Sequence, residues 1–293
     1  MSSVWSSATT FRLGFYSILA VVIVLLMNGC SSYFFYPMKR LVRTPDQVGL
    51  NYRDIEVTTS DQVRIHGWLL PAEQPRGIVF FLHGNAENIS THLASVYWLP
   101  EQGYEVLLMD YRGYGRSEGS PDFPEVYQDV AAMYQWLQTY ARERQLPVYI
   151  LGQSLGGVIS SYYFSQLPAE QRVFEGVVLD AVFAGHRDIA RDVLRRSFIT
   201  WPLQFVVPPF LPAEYDPADH VADFSPTPLL FFHSPDDEII PYDQGRSVYE
   251  QAKPPKYWVR SHGPHIATFD DPAYRQLLLN FLARPGADPS AKP

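Results

Sequence analysis

The sequence predicts an α/β fold, a mostly parallel eight-stranded sheet with helices on both faces, and three observations carry that expectation. Continuously apolar runs such as Gly77-Ile78-Val79-Phe80-Phe81-Leu82 recur along the chain, and a strand reads this way when both its faces are covered. Between several of these runs the apolar positions recur every three or four residues, which is the helical signature. Hydrophobic types make up 46% and charged types 18% of the 293 residues, enough apolar side chains for a large core and too many for a disordered chain.

Taken in order, residues 54–60 and 63–70 read as two strands joined by a turn at Ser60-Asp61, an expected hairpin. Strands are then expected at 77–82, 104–109, 147–151, 176–179, 228–232 and 256–259. Val126, Val130, Met133, Leu137 and Tyr140 make 125–144 an amphipathic helix. A further helix is expected from about Val158. Asp271-Pro272 reads as a cap followed by proline at the first helical position, with Leu277, Leu278, Phe281 and Leu282 on the apolar face behind it. Strands alternating with helices imply parallel pairing with crossovers. One domain is expected over 54–283, preceded by a linker at 30–53 and followed by a frayed tail at 284–293. The stretch 183–225 is too long for an ordinary connection. It holds a charged helix near 187–196, then Trp201, Phe205, Val206, Val207, Phe210 and Leu211 among prolines. It reads as a cap on the sheet's edge, or as a lid that lines an apolar pocket or touches lipid.

Residues 13–27 carry no charge, and only Arg12 precedes them. The run is short for a membrane span and suits the apolar core of a secretory signal. It ends in Met27-Asn28-Gly29-Cys30, which resembles a bacterial lipobox, and Cys30 is the only cysteine in the chain. The resemblance implies a signal peptide at 1–29, lipidation of Cys30, and a protein tethered to the bacterial cell envelope, facing the periplasm. The alternatives are an uncleaved anchor helix followed by Lys39, Arg40 and Arg43, or an ordinary buried thiol. A single cysteine excludes an intrachain disulfide and any multi-cysteine metal site. The net charge of −8 argues against a nucleic-acid partner, which needs a basic face.

The chemistry is expected at strand ends. Val148-Tyr149-Ile150-Leu151 runs into Gly152-Gln153-Ser154-Leu155-Gly156, a Gly-x-Ser-x-Gly pattern between a strand and a helix. Such a turn lifts the Ser154 hydroxyl above the sheet and leaves no room for side chains at 152 and 156. Serine needs a base. Of eight histidines, His265 lies between the last strand and the last helix, where it can reach back over the sheet, with His262 as competitor. The base needs a carboxylate to hold its tautomer. Asp236, Asp237 and Glu238 follow a strand, with Asp237 preferred and Asp180 a remote alternative at a neighbouring strand tip. Two backbone N–H groups should receive the oxyanion. Leu155 and Asn85 are the candidates, with Gly84 letting the backbone turn in and His83 a structural loop residue.

Leu82-His83-Gly84-Asn85-Ala86, Asp110-Tyr111-Arg112-Gly113-Tyr114-Gly115-Arg116-Ser117 and Asp237-Glu238-Ile239-Ile240-Pro241 resemble loops of α/β-hydrolase-fold serine hydrolases of the serine-aminopeptidase-like and Bem46-like branch. The resemblance covers about 50–283 and selects Asp237 over Asp236. It implies the order Ser154, Asp237, His265, with no cofactor and no metal. The resulting expectation is a tethered hydrolase of small-molecule acyl esters or thioesters. A peptidase or amidase with the same residues is the alternative, and a non-catalytic lipoprotein scaffold a further one.

Overall fold

The computed structural model describes residues 34–291; the expected signal segment and Cys30 lie outside the described residues. Eight strands form one sheet: β1 (Arg53–Thr58), β2 (Arg64–Leu70), β3 (Gly77–Leu82), β4 (Tyr104–Met109), β5 (Val148–Gln153), β6 (Gly176–Asp180), β7 (Leu229–His233) and β8 (Lys256–Arg260). Their order across the sheet is β8-β7-β6-β5-β3-β4-β2-β1. β2 pairs antiparallel with both β1 and β4, and every other pairing is parallel. The expected hairpin and mostly parallel sheet are therefore present.

The apolar runs are split between two cores. Ile78, Phe80 and Leu82 join one cluster, while Val79 and Phe81 join the other. β7 divides likewise, with Leu229 and Phe231 on one side and Leu230 and Phe232 on the other. Period-two side-chain alternation across a sheet covered on both faces explains why these strands show no polar stripe. Truncating a ring as deeply buried as Phe80 would cost roughly 3–5 kcal/mol. Helices α1 (Glu125–Arg144) and α2 (Leu155–Ser165) pack on the first face, and α5 (Pro272–Ala283) on the second. Asp271 caps α5 by accepting the Ala273 N–H at 2.8 Å. Helix α2 starts at Leu155, three residues earlier than the sequence suggested, because the serine itself occupies the N-cap position and the chain enters the helix without a linker.

Between β6 and β7 stand α3 (His186–Leu194), two 3-10 turns (Trp201–Phe205 and Pro208–Phe210) and short helical turns through Phe224. This cap is tied at its base. His186 Nδ1 lies 2.7 Å from Asp216 Oδ1, and Gln244 of α4 (Tyr242–Gln251) donates to Asp192 at 2.6 Å.

Two terminal segments differ from their expected looseness. From Tyr36 to Val42 the chain is bonded to the body: Tyr36 and Met38 N–H donate to the Asn85 and Glu87 carbonyls, and Val42 N–H to Ser90 Oγ. After α5 the chain folds back, with Tyr257 Oη donating to the Gly286 carbonyl and Asn280 to that of Pro289. These contacts join residues 9 to 49 positions apart in the sequence, so local composition does not register them.

Candidate active site

β5 ends at Gln153, and Ser154 sits between it and α2 with φ 53 and ψ −119. A non-glycine residue in this region stores roughly 1–3 kcal/mol of backbone strain. The surroundings hold it there. Ser154 N–H donates to the Asp180 carbonyl at 2.9 Å, and its own carbonyl accepts from Gly157 and Val158. A Cβ on Gly156 would stand 2.0 Å from the Leu82 carbonyl oxygen, and one on Gly152 2.6 Å from that of Gly156. Neither obstacle is a movable side-chain tip, so the turn demands glycine at both places.

Ser154 Oγ lies 3.0 Å from His265 Nε2, and His265 Nδ1 lies 2.7 Å from Asp237 Oδ2. The two distances assign one tautomer: Nδ1–H donates to the carboxylate, and Nε2 accepts the serine O–H. Asp237 Oδ1 accepts the N–H groups of Ile239 and Ile240, each at 2.8 Å. Burial opposes ionisation of Asp237, but the His265 hydrogen bond and charge, with those two amides, hold its carboxyl below the usual value. The carboxylate is thus charged, buried and aimed.

The competitors stand elsewhere. Asp236 is more than half exposed and 3.6 Å from the equally exposed His262. Asp180 is fully buried, but its oxygens are taken by Gln153 Nε2 and Thr268 Oγ1, each at 2.8 Å. Burial raises it to about 6 despite those bonds. Asp180 therefore ties the end of β5 to the loop that follows His265, and it does not face the imidazole. His83 is buried, its Nδ1 held by the Gly84 carbonyl at 2.7 Å, and desolvation pushes it well below the ordinary histidine value. It packs on the rings of His92 and Tyr111.

Leu155 opens α2, where the first N–H groups of a helix have no intrahelical acceptor. Asn85 borders the same cavity as Ser154 and Leu155. Its loop is clamped from two sides: the Asn85 carbonyl accepts from Tyr114 Oη at 2.7 Å and from Tyr36 N–H at 2.8 Å. Tyr111 Oη donates to the His83 carbonyl, and Asp110 accepts the Ile89 N–H. The clamping role of Tyr111 and Tyr114 was not read from the sequence; the only signal was that their segment recurs in related loops.

The serine opens on a cavity of about 360 Å³. Ile189, Val193 and Leu194 of α3, Val207 and Leu211 of the cap, Ile239 and Ile240, and Phe34 and Tyr36 line it. None of the described lining residues is charged. Of the apolar cap stretch, only Val207 and Leu211 reach the cavity; Trp201, Phe205 and Phe210 turn to solvent. The lining face of α3 was missed because its arginines and aspartates dominate the local sequence. Among the described residues no group of three or more His, Cys, Asp or Glu could hold a metal ion.

This sheet order, with the serine on a strand-to-helix turn and acid and histidine loops after β7 and β8, defines an α/β hydrolase. Residues 73–223 match the family described as serine aminopeptidase, S33, and the chain belongs to that family. It is similar to the uncharacterized protein YfhR of Escherichia coli O157:H7, 28% identical over 274 residues, covering 90% of this chain and 91% of that one. It is also 29% identical over 222 residues to the lysophosphatidylserine lipase ABHD12 of Xenopus tropicalis, spanning 70% of this chain and 57% of the relative. In three dimensions it resembles the Pyrococcus furiosus esterase Pf2001, with a TM-score of 0.69 at 22% identity, over 85% of this chain and 98% of that one.

Proposed function

We propose that this protein is a serine hydrolase of carboxylic esters or thioesters with apolar acyl groups, tethered to the bacterial cell envelope through lipidated Cys30. The observation that carries the reading is the unbroken Asp237–His265–Ser154 chain opening on an uncharged apolar cavity. Its volume lies within the range of small-molecule sites.

In the first step His265 Nε2 takes the Ser154 proton as Oγ bonds to the acyl carbonyl carbon. General-base help of this kind supplies roughly 10²–10⁴-fold. The carbonyl oxygen becomes an oxyanion facing the Leu155 and Asn85 N–H groups, and one such donor is worth about 3–4 kcal/mol in the transition state. Asp237 steadies the imidazolium and is not protonated. His265 then passes its proton to the departing alcohol or thiol, leaving an acyl-Ser154. In the second step water loses a proton to His265 and attacks the acyl carbon. The acid departs and the serine regains its hydrogen.

An ester relative and an esterase neighbour support this class of bond. A peptidase reading draws on the family's description, but an aminopeptidase must hold a cationic amino terminus, and the cavity lining offers no carboxylate. Fluorophosphonate labelling with and without Ser154→Ala, then a panel of p-nitrophenyl esters of increasing chain length, tests the reading. The variant should lose labelling and p-nitrophenyl butyrate turnover with its fold intact. Turnover retained by the variant, or an acyl-amide substrate preferred over every ester, overturns it. Among the described residues no helix is long and apolar enough to cross a membrane. The proposed tether, Cys30, lies outside the described residues. Cys30→Ala should block processing or release the protein from membranes, read by fractionation and mass. Unchanged size and attachment point to an anchor helix instead.

A further inference from the structure

The cap carries a crest that the hydrolytic reading leaves unused. Phe198 is 96% exposed and Ile199 85%, with Phe205 at 67% and Trp201 at 51%. Single exposed apolar residues are ordinary, but four large ones on one short stretch mark a surface that something covers. Residues 197–211 contain no charged side chain. The base of the cap is held firmly, since Arg196 donates to the carbonyls of Glu238 and Ile239 at 2.7 and 2.9 Å. The crest thus projects from a fixed support.

Three observations say what covers it. Val193 and Val207 of the cap and Phe34 and Tyr36 at the start of the described chain line the same cavity. Phe34 stands four residues after Cys30, a span of at most about 14 Å of extended chain. Acyl chains on Cys30 would therefore begin within that distance of Phe34, which lines the cavity. In a chain of net charge −8, the helix that leads into the crest is net positive, with four arginines against two aspartates over 186–196, and Lys39, Arg40 and Arg43 stand with no acid over 34–43. A net-positive helix running into an apolar, tryptophan-bearing crest fits anionic headgroups above acyl chains.

We propose that the crest of Phe198, Ile199, Trp201 and Phe205 seats in the membrane surface, so that the cavity opens onto the bilayer and acyl substrates enter from the lipid. The inference rests on the tethered-hydrolase reading for the substrate and the hold near Phe34, while the crest is an independent observation.

The test uses the full chain in vesicles of phosphatidylcholine and phosphatidylglycerol. Phe198→Asp with Phe205→Asp touches neither the catalytic residues nor the cavity lining. It should leave p-nitrophenyl butyrate hydrolysis unchanged while lowering hydrolysis of a long-chain fluorogenic ester carried in the vesicle about tenfold. Equal loss on both substrates, or on neither, overturns the proposal. A second readout does not depend on activity. Brominated phosphatidylcholine should quench tryptophan emission in the wild type, with a component that Trp201→Phe removes. No such component overturns the proposal, as does a concentration-dependent oligomer that the double aspartate variant dissociates, which would give the crest to a second copy. A wild type that fails to turn over p-nitrophenyl butyrate sinks the hydrolase reading alone, since the quenching still decides the crest.

Discussion

Asp237→Asn exchanges a single oxygen for an NH₂ group and should reverse the histidine's tautomer. Oδ1 of Asp237 already accepts two N–H groups at 2.8 Å, so an asparagine would keep its carbonyl oxygen there and turn its NH₂ toward His265. That amide can only donate. His265 Nδ1, 2.7 Å from this position, would have to accept, and the imidazole proton would move to Nε2, where it faces Ser154 Oγ. A serine met by an N–H donor has no base. In triads such a reversal costs about 10⁴-fold in kcat, or about 5.5 kcal/mol of barrier. Because both backbone bonds survive, the thermal midpoint should move by no more than about 4 °C. Asp236→Asn is the matched control: its side chain is 59% exposed, with a 3.6 Å contact to His262 and a long one to Gly263 N–H, so kcat should change less than about twofold. The assay is steady-state p-nitrophenyl butyrate hydrolysis beside a circular-dichroism melt. If Asp237→Asn keeps more than about a tenth of kcat, or Asp236→Asn loses as much, the carboxylate assignment is wrong.

Two further substitutions probe the frame around these groups. Tyr114→Phe removes the hydroxyl that donates to the Asn85 carbonyl and accepts from Tyr36 N–H. One hydrogen bond is worth roughly 1 kcal/mol, so kcat should fall about three- to tenfold while KM stays near wild type; a KM change alone would mean the loop does not hold the oxyanion. Asp110 is buried, and desolvation raises it to about 7 against the pull of Ile89 N–H and the charge of Lys39. Its folded value lies above its unfolded one, so its contribution is complete below about pH 4 and is lost as pH rises through 7. Asp110→Asn can still accept the Ile89 N–H and escapes that loss. Its denaturation midpoint relative to wild type should therefore climb between about pH 4 and pH 7, and parallel curves would refute the sign.

The glycine–serine turn was legible in the sequence because its constraint is local. At 152 a Cβ would meet the carbonyl of Gly156 within the turn itself, whereas at 156 the obstacle is the Leu82 carbonyl of a neighbouring strand, which the motif signals only indirectly. Alternating burial on a covered sheet is equally local, which is why the strands could be read from apolar runs. Position along the chain also nominated His265 and the acid loop, since loops after parallel strands gather at one end of the sheet. Distances were not legible. Asp236 and Asp237 are adjacent and chemically alike, and only the folded loop turns one inward to the imidazole and leaves the other in water. The same holds for Asp180, a strand-end carboxylate whose oxygens are claimed by Gln153 and Thr268.

Composition and periodicity determined an α/β sheet covered on both faces, and the Gly-x-Ser-x-Gly motif placed a serine on a strained turn at its carboxyl edge. Tertiary structure decided what surrounds that serine. Phe34 and Tyr36 join α3 and the cap around one cavity, Tyr114 reaches across to fix the Asn85 loop, and of the alternatives open for the cap stretch its largest apolar residues point to solvent and away from the site. The reason is that side-chain spacing along one element reports which residues share a face, whereas what that face meets depends on segments distant in the sequence.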